Sequence, residues 1–135
     1  MTSKKKEFIC NWNSYINDLL VCEEIFKAAI YDLYGNNLAS SHYLFYLKFG
    51  ELKAILEGLN GPDHLQNGFS VNDISFELCK ADGKFGILGQ NKELGCSICK
   101  SRKLLIIGIH TKDENIEMCN EIIMKLGDFF RENNF

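Results

Sequence analysis

A chain of 135 residues, 46% apolar and 24% charged, has enough material for one domain with a core and too little for two. Its longest apolar run, Leu104 to Ile109, falls far short of the roughly 20 residues a membrane-spanning helix needs, and a formal net charge of −3 argues against nucleic acid as a main partner. Lys4, Lys5 and Lys6 are followed by Phe8, Ile9 and then polar residues, with no apolar signal region, so a cytoplasmic protein is expected whose six cysteines (10, 22, 79, 96, 99 and 119) stay reduced.

Residues 1–9 are expected to form a flexible arm, ahead of a single domain over residues 10–135. The arm's three lysines read as a solvated tail, with a weak contact to acidic lipid headgroups as the alternative. Apolar residues at Trp12, Tyr15, Ile16, Leu19 and Leu20 have helical spacing and predict a helix over 12–20, with Asn11 as N-cap. A strand over 25–33 runs into the turn signal Tyr34-Gly35-Asn36-Asn37 and returns over 38–41 as a hairpin. Leu52, Ile55, Leu56 and Leu59 share one face of a second helix over 48–59, ended by Gly61-Pro62.

Ile74-Ser75-Phe76-Glu77-Leu78 alternates strictly, which predicts a strand with one buried face. Ala81-Asp82-Gly83-Lys84 reads as a hairpin turn, followed by strands over 85–89, 95–100 and 104–109. The last is apolar on both faces, as suits a central strand covered on both sides. The final helix is expected to start near Asp113, with Thr111 and Glu114 at capping-box spacing or Asp113 as the cap. Ile116, Cys119, Ile123, Leu126 and Phe130 form its core stripe, and Ile122 and Phe129 lie on an adjacent face that must pack on something else. Strands joined by short turns, with helices at both ends, make this an α+β domain around an antiparallel sheet.

Cys96-Ser97-Ile98-Cys99 has the CxxC spacing of redox and zinc sites. In a strand, however, residues three apart point to opposite faces, so neither a disulfide nor a shared metal fits without breaking the strand. His42, His64 and His110 are scattered, and Gly83, Gly86 and Gly89 are followed by no phosphate-loop Lys. GxSxG and HExxH do not occur. No catalytic residue, cofactor or metal is therefore expected. The remaining enzymatic reading is a Cys–His hydrolase using Cys96 or Cys99, whose partners could be distant in the chain.

The termini carry the strongest signal. Trp12 and Tyr15 open the first helix, and Phe129 and Phe135 add rings near the end of the last. Side by side, the two helices would form one aromatic surface suited to a polyproline II ligand, because prolines pack on flat rings and lose little entropy on binding. The same rings could equally seal the interface between the helices.

Asn11-Trp12-Asn13-Ser14-Tyr15-Ile16 followed by Leu19-Leu20 resembles the start of a profilin, in which a Trp-x-x-Tyr pair opens the first helix. Lys27-Ala28-Ala29-Ile30, Tyr34-Gly35-Asn36 and Ala39-Ser40-Ser41 resemble the first profilin hairpin, and Leu105-Ile106-Ile107-Gly108-Ile109 its penultimate strand. Cys119 to Phe129, with its Leu-Gly-Asp-aromatic step, is similar to the closing helix. The resemblance implies a central antiparallel sheet, with the N- and C-terminal helices packed together on one face and a further helix on the other.

It also implies a monomeric protein that binds monomeric actin, speeds its nucleotide exchange and delivers it to growing filament ends. Proline-rich proteins and acidic phosphoinositides would be further partners. By that resemblance the polyproline-binding positions are Trp12, Tyr15, Phe129, Phe130 and Phe135. The actin-facing ones are Lys80, Lys84, Gln90, Asn91, Asn120, Glu121 and Lys125. Leu38 stands where many profilins carry a second Trp, which removes part of the stacking platform. Glu93 and Glu121 make the actin-facing side less positive than is usual. A drifted profilin-like module that keeps one of the two interactions is the alternative.

Overall fold

A computed structural model describes residues 11–135. The expected arm over 1–9, with its lysines, and Cys10 lie outside the described residues. The first helix, α1 (Trp12–Leu20), has the expected limits. Asn11 occupies the N-cap position without a side-chain cap bond; instead Ser14 Oγ donates to the Asn11 carbonyl at 2.8 Å. β1 (Ile25–Asp32) and β2 (Asn37–Ser40) form the hairpin. β1 stops one residue before the expected Leu33 because Asp32 starts the turn. Its carboxylate accepts the backbone N–H of Tyr34 and of Asn36 and the Asn36 side-chain amide.

α2 (Glu51–Asn60) begins three residues later than its apolar periodicity suggests. Gly50, at φ +89°, turns the chain just before it, in a conformation that disfavours any side chain. Glu51 is buried, and its carboxylate accepts the backbone N–H of Lys48 at 2.5 Å, Asn72 at 2.8 Å and Asp73 at 3.0 Å. A 3-10 turn over Pro62–Leu65 leads to β3 (Phe69–Val71), β4 (Ile74–Ala81), β5 (Gly86–Gln90), β6 (Gly95–Lys100) and β7 (Leu104–His110).

β3 is a strand that the sequence pattern does not mark. It is only three residues long and pairs with β4 through a two-residue turn, Asn72-Asp73, in which both residues have positive φ. α3 spans Ile116–Glu132 and also starts three residues late. Thr111 is not its cap: Asn115 holds the N-cap position, and Thr111, whose N–H donates to the Glu24 carbonyl at 3.0 Å, still carries on the sheet pairing.

All strand pairs are antiparallel, in the order β2-β1-β7-β6-β5-β4-β3. Alternate residues of the central strands feed two cores. Ala29, Tyr31, Ile98, Leu105 and Ile107 pack with Ile55 and Leu59 of α2 on one face. Ala28, Ile30, Cys99, Leu104 and Ile106 pack with Tyr15, Ile16 and Leu19 of α1 and Cys119, Ile123 and Phe130 of α3 on the other. The α+β class, the layering and the full burial of β7 match the sequence expectation. α3 lies close on the sheet because two glycines let it: a Cβ on Gly108 would overlap the Ile123 side chain, and one on Gly127 would overlap Cys99 Sγ.

Candidate functional site

The rings assigned to proline recognition do come together. Phe130 is their hub, with its centroid 5.0 Å from Tyr15, 5.9 Å from Trp12 and 5.9 Å from Phe129. Trp12 lies 5.6 Å from Phe135 and Tyr15 lies 5.8 Å from Phe129. Most of these contacts are tilted or edge-to-face, the arrangement ring quadrupoles favour. The partner demanded by Phe129 and Ile122 on the helix flank is thus the layer that contains α1.

Burial divides the cluster. Phe130 is 0% exposed and Tyr15 only 1%. Neither offers a ring face to a ligand, so Tyr15 and Phe130, both expected among the proline-binding positions, form the floor of that site and not its surface. For Phe130 the physical reason is its position in the core stripe of α3, and for Tyr15 its packing against Phe129 and Phe130 of that helix. Among the described residues the half-buried rings of the cluster are Trp12, Phe129 and Phe135, and Leu38 packs against the same core.

Phe135 is held by the way α3 ends. Asn134 takes a left-handed φ of +68° and donates its N–H to the Arg131 carbonyl at 3.2 Å, while the Phe135 N–H donates to the Phe130 carbonyl at 2.8 Å. That pair of bonds is a Schellman closure with Asn in the position glycine usually fills. Ser101 Oγ then donates to the Phe135 main-chain oxygen at 2.6 Å, and the Lys103 backbone N–H donates to the same atom. Lys103 Nζ lies 5.4 Å from the Phe135 ring centroid. The Asn133-Asn134 pair just past the last periodic residue was the readable sign of this closure.

The residues assigned to the second surface are only partly gathered. Lys80 of β4 reaches α3 and pairs with Glu117 at 2.6 Å, and Lys125 pairs with Glu121 at 3.2 Å one turn along α3. Lys84, in the β4–β5 turn, lies 4.9 Å over the Phe85 ring. Between β4, β5 and α3 a hollow of about 290 Å³ is lined by Lys80, Asp82, Leu88, Asn120 and Met124 among others. Gln90 and Asn91 lie apart, in a second hollow of about 430 Å³ shared with Lys92 and Lys112. Asn91 is engaged in its own turn, accepting from the backbone N–H of Glu93 and Leu94.

Asn120 differs from its expected outward placement. It is 7% exposed, and its Nδ2 donates to Ser97 Oγ at 2.9 Å. Ser97 in turn lies 2.7 Å from His110 Nε2, while His110 Nδ1 faces the Thr111 carbonyl at 2.7 Å. A carbonyl only accepts, so Nδ1 carries the proton and Nε2 accepts from the Ser97 hydroxyl. Burial pushes His110 below its ordinary pKa, against the opposing pull of the Thr111 carbonyl. This neutral network closes α3 onto the sheet and is not legible in the sequence, because its members are far apart in the chain.

At the opposite end of these strands, Asp82 accepts the N–H groups of Lys84, Phe85 and Gly86. Burial works against its charge, but these bonds and Arg131 outweigh it and hold its pKa below the usual value. Arg131 stacks 4.0 Å from the Phe85 ring centroid and donates Nη1 to the Lys100 carbonyl at 2.7 Å. The CxxC pair behaves as the alternation of a strand requires: Cys96 faces the α2 core and Cys99 the α1/α3 core. Both are fully buried; burial pushes the Cys96 thiol up strongly and Cys99 to about 11, the opposite of an activated nucleophile. Among the described residues no three metal-binding side chains are gathered.

A sheet with helices on both faces thus presents an aromatic strip at one place and a mixed-charge helix flank at another. The chain belongs to the profilin family, whose model (Profilin) matches residues 10–135. Among solved structures, profilin IA of Acanthamoeba castellanii is similar, with a TM-score of 0.82 and 21% identity over 93% of this chain and 100% of that one. Mouse profilin IIa, solved in complex with a double repeat from the FH1 domain of mDia1, gives a TM-score of 0.76 at 14% identity, covering 93% of this chain and 99% of that one. LokiProfilin2, in its complex with rabbit actin, gives 0.72 at 17% identity, covering 89% and 95%.

Proposed function

We propose that this protein binds monomeric actin and regulates filament assembly, with a separate site for proline-rich segments. Membership of the profilin family over residues 10–135 carries the reading. Two further observations support it. Relatives of the same fold include a profilin held on actin and another held on an FH1 repeat. The two candidate surfaces also draw on different residues: Trp12, Phe129 and Phe135 on one side, Lys80, Lys84, Glu121 and Lys125 on the other.

Prolines would stack on the half-exposed rings, which lose little entropy because Phe130 and Tyr15 hold them from below. Actin would meet interleaved charges, Lys80 beside Glu117 and Lys125 beside Glu121, which favours register and orientation over raw affinity. Holding both ligands at once would let the protein carry actin to a proline-rich assembly factor in the cytoplasm and favour nucleotide exchange on the way. Acidic phosphoinositides would find Arg102 and Lys103 in the turn beside Phe135. The deciding experiment is a pyrene-actin polymerisation assay with and without a proline-rich elongation factor. Slower spontaneous assembly, and recovery or acceleration with the factor, are expected; no effect on either removes the reading.

The second reading, a module that keeps actin and has lost proline binding, is favoured by the burial of Tyr15 and Phe130 together with Leu38. Trp12 emission titrated with a proline decamer separates the two. No change at millimolar peptide leaves actin as the retained partner.

A further inference from the structure

The face of the sheet that carries α2 takes no part in either proposed surface, yet it holds the most exposed rings among the described residues. Tyr34 is 93% exposed, Tyr43 96%, and Phe49 is fully exposed. Tyr34 lies in the β1–β2 turn, and Phe49 lies next to the end of the irregular segment 41–50 that leads into α2. Between them opens a hollow of about 490 Å³, a size typical of ligand pockets. Leu47 and Leu52 line it with apolar surface, Tyr34 and Phe49 add the exposed rings, and Lys48 and Lys53 bring the charge.

This segment is built to stay in place although it has no regular structure. Ser40 Oγ donates towards the carbonyls of His42 and Phe45 at 3.0 and 2.9 Å, and Phe45 itself is buried. The Leu47 N–H donates to the Tyr31 hydroxyl at 2.8 Å, and the Lys48 N–H donates to the buried Glu51 carboxylate. Exposed rings on a fixed backbone bind without a large ordering cost, and large exposed apolar patches mark contact sites.

Charge selects the occupant. The lining carries two lysines and no carboxylate, on a chain whose net charge is −3. Glu51, the nearest acid in sequence, is turned inward and consumed by three backbone N–H groups. Lys48 is shared with Asp73 at 3.5 Å, while Lys53 is in no ion pair among the described residues. We infer that this hollow is a third binding site, for an extended peptide segment of a partner protein that inserts one apolar side chain between Tyr34 and Phe49 and sets an adjacent carboxylate against Lys53. Exposed rings with lysines would also suit an anionic bilayer, but a concave hollow with an apolar lining fits a single side chain better than a flat lipid surface.

The test is selection of a random linear peptide library on the intact protein, with counter-selection on the Phe49→Ser variant, followed by fluorescence anisotropy of an enriched peptide. Enriched sequences should share a large apolar residue next to Asp or Glu. Affinity should fall about thirtyfold in Phe49→Ser, as for a hot-spot residue, and about tenfold in Lys53→Glu. Both positions are exposed, so melting temperature, pyrene-actin behaviour and the proline-decamer titration should not change. The site is overturned if no sequence survives counter-selection, if the enriched sequences carry no acid, if Phe49→Ser keeps full affinity, or if the protein binds phosphatidylserine vesicles through these residues and no peptide.

Discussion

The Phe135 N–H donates to the Phe130 carbonyl at 2.8 Å, and this bond turns the last ring back onto the first helix, 5.6 Å from Trp12. It exists because Asn134 accepts a left-handed backbone at φ +68°. A β-branched residue there meets its own carbonyl. Asn134→Val should therefore cost about 1–2 kcal/mol and move the Trp12 emission maximum as Phe135 leaves. Asn134→Gly should preserve both properties. Urea unfolding and emission spectra of the two variants check this; equal behaviour would show that the closure does not position Phe135.

Phe129 and Phe130 are neighbours in sequence with different roles. Phe130 is fully buried among Trp12, Tyr15 and Phe129, so Phe130→Ala should cost about 3–5 kcal/mol and lower the melting temperature sharply. Phe129 is half-exposed, so Phe129→Ala should cost about 1–2 kcal/mol while removing most of the proline-decamer response. Calorimetry and the Trp12 titration separate stability from binding. Proline binding that survives Phe129→Ala would exclude this strip as the site.

Elements set by local pattern were legible in the sequence, and those set by distant neighbours were not. The α1 and β6 limits follow from helical spacing and alternation alone, as does the placing of Cys96 and Cys99 on opposite faces. α2 and α3 start late because tertiary bonds take their first turns: Glu51 reaches the 72–73 turn, and Thr111 remains paired with Glu24. The aromatic cluster was legible as a group of residue types. Which rings face water was not, since burial of Tyr15 and Phe130 depends on how α1 and α3 meet. Asn120 of α3 reads as an outward polar residue until Ser97 of β6 is found beneath it.

The buried Ser97–His110–Asn120 network makes stability depend on pH in a defined direction. His110 is neutral in the folded protein, and burial holds its pKa below the ordinary 6.5. Between the folded value and 6.5 the unfolded chain binds more protons, so stability rises with pH through that window. Its contribution should be complete above about 6.5 and should erode as pH falls below that. Asp32 and Asp82, whose folded pKa values are lowered, lose their contributions in a separate, more acidic window. Urea unfolding across mildly acidic pH should show the first loss in the native protein and a flatter profile in His110→Gln. An identical slope in both would assign the dependence to other groups.

Whether the two proposed surfaces work independently is best tested from β4 and not from α3. Lys125 and Phe129 are four residues apart on one helix, so their side chains are neighbours and a charge change at Lys125 is felt at the aromatic strip. Lys80 reaches α3 from the far side and pairs with Glu117; both side chains are more than half exposed, so the pair adds little to stability. Lys80→Glu places two carboxylates together where actin is expected to dock. Actin affinity should fall about tenfold, the cost of reversing one interfacial charge, with the melting temperature nearly unchanged. The proline-decamer titration should stay within the error of the native curve. Lys125→Glu should weaken actin as well and is the variant in which a small proline effect is expected. Parallel loss of both ligands in Lys80→Glu would mean that the surfaces are coupled through α3, and normal actin binding would move the actin contact away from the β4 edge of this helix.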